Sequence, residues 1–237
     1  MVQTRVKTEQ AISEISLQDS IHYQGRKAAR AKSEHRRRII LEAALRIVAK
    51  EGVRGVKHRA VAKEAQVPLA STTYYFKDIE ELITDAFMLF AEKSQQVLEL
   101  FYGELNKLVV KYDADMIRSD ELTRLRFTEE LVEMGVRYIK AQVQFRRDDV
   151  LAEMAFLMEA LRDKQLQPLA KEYRMAWFTR LVSFLMQTKS STPAEDAMCI
   201  ISGVQALLYE SVLNDGVVNE HLARSSIRRL MSLLLKG

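Results

Sequence analysis

The residues best equipped for chemistry in this chain lie over residues 56–76, VKHRAVAKEAQVPLASTTYYF. Leu69, Ala70, Ser71, Thr73, Tyr74 and Tyr75 bring short apolar, hydroxyl and phenolic groups into one stretch, with His58, Arg59 and Lys77 close by. These groups match the surface of a nucleic acid duplex. Leu69 or Ala70 can meet a thymine methyl, Thr73 can donate or accept at a base edge, and tyrosine hydroxyls suit phosphate oxygens. His58 and Arg59 can approach a phosphate or a base edge. For Tyr74 and Tyr75 the competing role is packing.

Two short helices have to position these groups. Val61, Ala62 and Ala65 share one face of a helix over residues 57–65. Pro68 disfavours helix at the residue before it and ends that helix near Gln66. A second helix starts there, since proline is tolerated in a first turn, and Thr72 and Phe76 fall one turn apart on its inner face. Two short helices joined by a tight turn form a helix-turn-helix. A supporting helix runs from about residue 33 to Glu51, with Ile40, Ala43, Ala44, Ile47 and Val48 as its stripe and Gly52 at its C-cap. Asp78 and Glu81 form a capping-box-like pair at the start of the next helix.

Charge is concentrated on the same region. Residues 22–77 carry fourteen Lys and Arg against four Asp and Glu, while the whole chain of 237 residues has a formal net charge of only +4. Such a footprint attracts a polyanion. Arg26, Lys27, Arg30, Lys32, Arg36, Arg37 and Arg38 precede the helix-turn-helix with only Glu34 opposing them. Residues 1–32 are expected to form a flexible basic arm, with Arg36 and Arg37 adding backbone contacts; the alternative is a solvated charge run.

The residues Val61-Ala62-x-Glu64-Ala65-x-Val67, Ser71-Thr72-Thr73-Tyr74-Tyr75-Phe76 and Glu80-Glu81-Leu82 resemble the DNA-binding region of TetR-family transcriptional regulators. The resemblance covers roughly residues 37–86. It implies a DNA-binding domain over 33–77 and a larger helical ligand-binding and dimerisation domain over 78–237. It places Thr72 in the core, Leu69, Ala70, Thr73, Tyr74 and Arg59 toward bases, and His58, Ser71 and Tyr75 toward phosphate. Three positions depart from the family pattern: Gln66 and Ala70 stand where glycines are common, and Ile79 replaces a frequent phosphate-binding lysine, which removes a charge.

Few glycines and prolines (eight and three) with abundant Ala, Leu, Glu, Lys and Arg predict an all-α protein. Beyond the reading head, a helix from Ile79 onward is expected to break near Gly103, with residues 112–120 as a connection. Further helices over 122–145, 148–162 and 166–187 follow, the last interrupted at Pro168. The resemblance implies a pocket for a small hydrophobic effector, with Met134, Tyr138, Met154, Phe156, Met158, Trp177, Phe178 and Met186 as candidate walls. Filling a solid core is the alternative role for each. Glu129, Glu130, Glu133 and Arg137 could line it or form a solvated face. Thr192-Pro193-Ala194-Glu195 and Asn219 start the last two helices. Their family counterparts pair across a two-fold axis, which implies a homodimer through Ile200, Val204, Leu207, Leu208, Ile227, Leu230, Met231 and Leu234.

Other classes find little support. No Gly-rich phosphate loop or recognisable catalytic triad is present, so no catalysis and no cofactor are expected. His22, His35, His58 and His221 give no metal-ligand spacing. Cys199 is the single cysteine, which suits a reducing compartment. No apolar run of membrane-spanning length is read, so a cytoplasmic protein without a membrane partner is expected. The expectation is a sequence-specific, ligand-responsive repressor on a double-stranded DNA operator; a nonspecific DNA-binding protein or a helical protein-interaction module is the alternative.

Overall fold

The computed structural model describes residues 23–24 and 31–235; most of the expected arm lies outside these. The described residues form ten α-helices and no strand. They are α1 (Ala31–Glu51), α2 (His58–Glu64), α3 (Leu69–Tyr75), α4 (Ile79–Lys111), α5 (Ala114–Ser119), α6 (Glu121–Phe145), α7 (Arg147–Ala160), α8 (Leu166–Gln187), α9 (Pro193–Leu213) and α10 (Glu220–Leu234), with a 3-10 turn at Val53–Gly55.

The chain divides into two compact units. A head unit holds the described part of Ser16–Gln96 together with Asp148–Arg174, and a body unit holds Val97–Arg147 and Met175–Gly237. The division falls within α4, where a boundary at residue 77 was expected. The reason is aromatic. Phe87 and Phe90 of α4 bury against Phe156 of α7 and Tyr173 of α8, with ring centroids 4.8–6.1 Å apart. Each such pair adds about 0.5–1.5 kcal/mol beyond the area it buries.

In the head unit α1 buries Ile40, Leu41, Ala43, Ala44, Ile47 and Val48. Gly52 ends it in the left-handed region (φ 76°), a conformation open to glycine without a Cβ penalty.

In the body unit α6, α9 and α10 pack on one another. A Cβ on Gly135 of α6 would lie 2.9 Å from Ile227 Cδ1, so the end of that α10 side chain packs directly over the glycine. The α6–α10 seam is edged by ion pairs: Arg228 to Glu129 at 2.6 Å, Arg224 to Glu133, and Lys140 to Glu220 at 2.7 Å. The arginine hydrogen bonds hold the Glu129 and Glu133 carboxyls below their ordinary range. Glu130 instead pairs with Lys111 and Tyr112. These three glutamates therefore serve the helix surface rather than a pocket, and solvent keeps their pairs weak.

Several local expectations change. The α4 helix runs straight through Gly103, and α5 occupies the expected connection because Asp113 caps it, accepting from the Met116 N–H at 2.9 Å. Pro168 does not interrupt α8, since it sits in the first turn, where its missing N–H has no intrahelical role. Thr192 makes no side-chain cap; the Asp196 carboxylate accepts from the Ser190 and Thr192 hydroxyls instead. Asn219 caps α10 through the Leu222 N–H. By length and composition α9 is apolar enough to cross a bilayer, contrary to the sequence expectation; a core helix of a soluble protein passes the same test. Only 28% of that stretch is buried, so α9 leaves an apolar face uncovered.

Candidate DNA-binding surface

The turn between α2 and α3 is built by the chain itself. The Val67 N–H donates to Ala62 C=O (3.0 Å) and the Gln66 N–H to Lys63 C=O (3.2 Å). This is the paired pattern of a Schellman cap, and it requires a left-handed residue after the C-cap. Gln66 occupies that place with φ 54°. The glycine-like position noted in the sequence is thus a real backbone demand, met here by a residue with a Cβ.

The helix α3 then separates its residues by face. Thr72 and Phe76 are fully buried, and the Thr72 hydroxyl donates to Leu69 C=O at 2.8 Å. Leu69 and Tyr74 remain 44% and 54% exposed, and Ala70 and Thr73 are exposed beside them, with Ser71 half-buried. The Thr73 hydroxyl donates to Ala70 C=O at 3.3 Å. Tyr74 stands edge-on to Tyr75, centroids 5.0 Å apart at 85°.

Tyr75 is a correction. Its ring is buried and its hydroxyl hydrogen-bonds Ser33 Oγ of α1 at 2.8 Å, tying α3 to α1 rather than to phosphate.

Arg37 is the second correction. It is 4% exposed, and its guanidinium donates to Asp85 of α4 at 2.5 Å; the Asp85 side chain is fully buried. Consecutive helical residues point about 100° apart, so Arg36, Arg37 and Arg38 cannot share a face. Arg37 falls on the stripe of Ile40, Leu41 and Ala44, whereas Arg36 is exposed and Arg38 pairs with Glu42 and Glu92. Two residues of the expected arm complete this joint. The Gln24 N–H donates to Asp85 Oδ1 at 2.6 Å, the Tyr23 hydroxyl donates to Glu92 at 2.6 Å, and Arg37 lies over the Tyr23 ring. Burial, with the Glu92 carboxylate, pushes the Tyr23 phenol well above its ordinary range. Arg26, Lys27 and Arg30 lie outside the described residues.

Other cations lie on the segments that flank α3 in sequence. Lys57, Arg59 and Lys77 are exposed, and His58 is half-buried with its Nδ1 enclosed and without a hydrogen-bond partner among the described residues. The Lys77 N–H donates to Glu81, and the Glu81 N–H donates to Asp78 at 2.9 Å, so the expected capping pair fixes the entry to α4. Arg46 is neutralised by Glu64 at 2.6 Å, which joins α1 to α2. Among the described residues no cluster of metal-ligating side chains exists.

The candidate effector residues fall in both units. Tyr138 comes within 6.3 Å of Trp177 and 4.8 Å of Phe101 in the body unit, where Met134 is buried and Phe178 half-buried. In the head unit Phe156 is sealed in the aromatic cluster and Met154 is half-buried. Met158 and Met186 are exposed and drop out as walls, because each sits on the solvent side of its helix. Of the candidate dimer residues, Leu208, Ile227 and Met231 are buried within their own body unit, while Ile200, Val204, Leu207, Leu230 and Leu234 are only half covered. Two residues went unread in the sequence: Asp85, hidden inside a helical run, and Glu153, signalled by being the one charge in VLAEMAFLM over residues 150–158.

A helix-turn-helix with an outward-facing second helix and exposed cations on the adjoining segments defines the class: a DNA-binding regulator. Comparison with known proteins agrees. Residues 40–86 match the family of bacterial regulatory proteins of the tetR type, and residues 123–237 match the tetracyclin repressor-like C-terminal domain. The chain belongs to the TetR family, whose members are transcription factors and not enzymes. A TetR-family protein from Streptomyces coelicolor A3 is 26% identical, with a TM-score of 0.57 over 82% of this chain and 97% of that one. The multidrug binding protein EbrR in complex with ethidium is 27% identical, with a TM-score of 0.55 over 82% and 97%. FadR from Bacillus subtilis in complex with stearoyl-CoA, 18% identical, shares the fold with a TM-score of 0.60 over 82% and 97%. No curated protein matches the chain.

Proposed function

We propose that this regulator is a cytoplasmic, homodimeric repressor that binds a pseudo-palindromic operator and releases it when a small hydrophobic effector binds. The observation that carries the operator reading is the division of α3. Thr72, Tyr75 and Phe76 fix it to the head, while Leu69, Ala70, Thr73 and Tyr74 are left outward. Arg36, Lys57, Arg59 and Lys77 supply phosphate contacts around it. The arm over residues 1–32 adds charge to the same interaction.

The uncovered side of α9 supports the dimer. Met198, Cys199, Ser202, Ala206 and Leu213 are exposed on a helix with a high apolar content. A second copy covers it, and the two-fold axis holds two α3 helices about one or more DNA turns (~34 Å each) apart. The complex of EbrR with ethidium supports an effector for this chain. Release then follows from an effector preferring a conformation in which the two heads are misplaced.

The test is operator binding by Tyr74→Ala and Arg59→Ala. Both should weaken binding about tenfold or more, at ~1–3 kcal/mol per base contact, with helical content and dimer unchanged. Normal binding by both variants would rule out α3 and the start of α2 as the reading surface.

A further inference from the structure

Two residues ahead of α1 complete a joint whose other members lie in the helices. Arg37 and Asp85 are both buried, and a buried pair is favourable only where further hydrogen bonds serve its remaining donors and lone pairs. Tyr23 and Gln24 supply part of what is needed. The Gln24 N–H donates to Asp85 Oδ1 at 2.6 Å, and the Tyr23 hydroxyl donates at 2.6 Å to Glu92, whose other oxygen accepts from Arg38. The Arg37 Nε is buried with no hydrogen-bond partner among the described residues. The ring faces of Tyr23 and Phe76, 4.5 and 5.7 Å from the guanidinium carbon, stabilise that part of the cation instead. Tyr23 is only half-buried and Gln24 is exposed, so the two form a latch at the surface of the head unit, closed across α1 and α4.

The same joint reaches the reading helix. Ser33 and Arg37 lie one turn apart on one face of α1. Ser33 hydrogen-bonds Tyr75 at 2.8 Å, and Arg37 lies against the ring of Phe76, whose N–H closes α3 on Thr72 C=O at 3.0 Å. Tyr74 rests edge-on against Tyr75. Opening the latch therefore loosens the end of α3 that carries Tyr74, while every group on the α3 surface stays in place chemically. We propose that Tyr23 is a positioning residue for operator binding: with Gln24 it latches α1 to α4 and, through Arg37, holds the C-terminal end of α3 in its reading position. This rests on the operator reading above and adds a residue that acts on the contact from behind it.

The test compares Tyr23→Ala and Tyr23→Phe in the full-length protein, by amide hydrogen exchange and by titration with two duplexes of equal length. One duplex carries the inverted repeat that the wild type selects from randomised DNA, and the other a scrambled version of it. Tyr23→Ala should speed exchange at least about tenfold over residues 72–82 and leave residues 193–213 at the wild-type rate. It should also cut the preference for the inverted repeat about tenfold, which a loss of folded protein cannot mimic, because that lowers both affinities alike. Tyr23→Phe keeps the ring over Arg37 and should bring both readouts to within about threefold of wild type. Unchanged exchange over residues 72–82 in Tyr23→Ala overturns the latch. Faster exchange with an unchanged preference, or no recovery by Tyr23→Phe, overturns the positioning role. A wild type that selects no repeat fails the operator reading itself and the positioning role with it, while the exchange measurement still decides the latch.

Discussion

Arg37→Ala is expected to damage folding rather than DNA contact, against what a basic run suggests. The guanidinium lies 2.5 Å from an Asp85 carboxylate that is fully buried, and it sits 4.5 Å from the Tyr23 ring centroid and 5.7 Å from that of Phe76. Truncation leaves the Asp85 charge in the interior without its guanidinium counter-charge, while the Gln24 N–H still donates to its other oxygen. Removing one partner of such a pair costs about 3–5 kcal/mol, out of a total stability on the order of 5–15 kcal/mol. At ~1.4 kcal/mol per power of ten, the unfolded fraction rises by roughly two to three and a half orders of magnitude. Urea denaturation followed by circular dichroism measures this directly, with Arg36→Ala as the exposed control, expected within about 0.5 kcal/mol of wild type. In DNA titrations across salt concentration, Arg36→Ala should lower the salt slope by about one, and Arg37→Ala, under conditions where it is folded, should leave it unchanged. The double variant Arg37→Met with Asp85→Leu should recover most of the stability, since the buried charge is gone. An Arg37→Ala protein with a wild-type urea midpoint and a reduced salt slope would refute the buried-pair account.

Gln66→Gly should stabilise the head by roughly 0.5–1 kcal/mol by removing a left-handed Cβ conflict, read as a higher melting temperature with unchanged DNA selectivity; destabilisation would show that the Gln66 side chain matters more than its backbone. Ala206→Glu puts a charge on the exposed face of α9, and sedimentation should then show monomers of native helical content; an intact dimer would place the interface elsewhere. Because the folded Glu153 carboxyl titrates at about 7, above its ordinary 4.5, the native state holds a proton that the unfolded chain has already lost. Stability attributable to this group is therefore full below pH ~4.5 and falls as pH rises toward 7, by about 3 kcal/mol at ~1.4 kcal/mol per unit. Glu153→Gln should be more stable than wild type at pH 8 and similar near pH 4.5, and a constant difference across that range would deny the buried carboxyl.

The helices and the reading head were legible because each rests on local rules. The Pro68 break, the Asp78 and Glu81 capping pair and the Thr72–Phe76 inner face depend on residues within one or two turns. Arg37 was misread because its partner Asp85 is 48 residues away, yet the signal was present in its spacing to Ile40 and Leu41. Tyr75 failed likewise: facing inward or outward depended on Ser33 across the head. In the body, apolar periodicity marks a buried face without saying what covers it. Leu208, Ile227 and Met231 therefore looked like interface residues and proved to be monomer core, while the exposed Ala206 and Leu213 carry no such mark in the sequence.

Selection of binding sites from randomised duplex DNA by the purified full-length protein, at near-physiological salt, tests the central claim most directly. The account predicts enrichment of an inverted repeat whose half-sites are centred one DNA turn (~34 Å) or a multiple apart, lost with Tyr74→Ala. Binding without enrichment of any sequence, with a steep salt dependence, would contradict a sequence-specific repressor and leave a nonspecific DNA-binding protein.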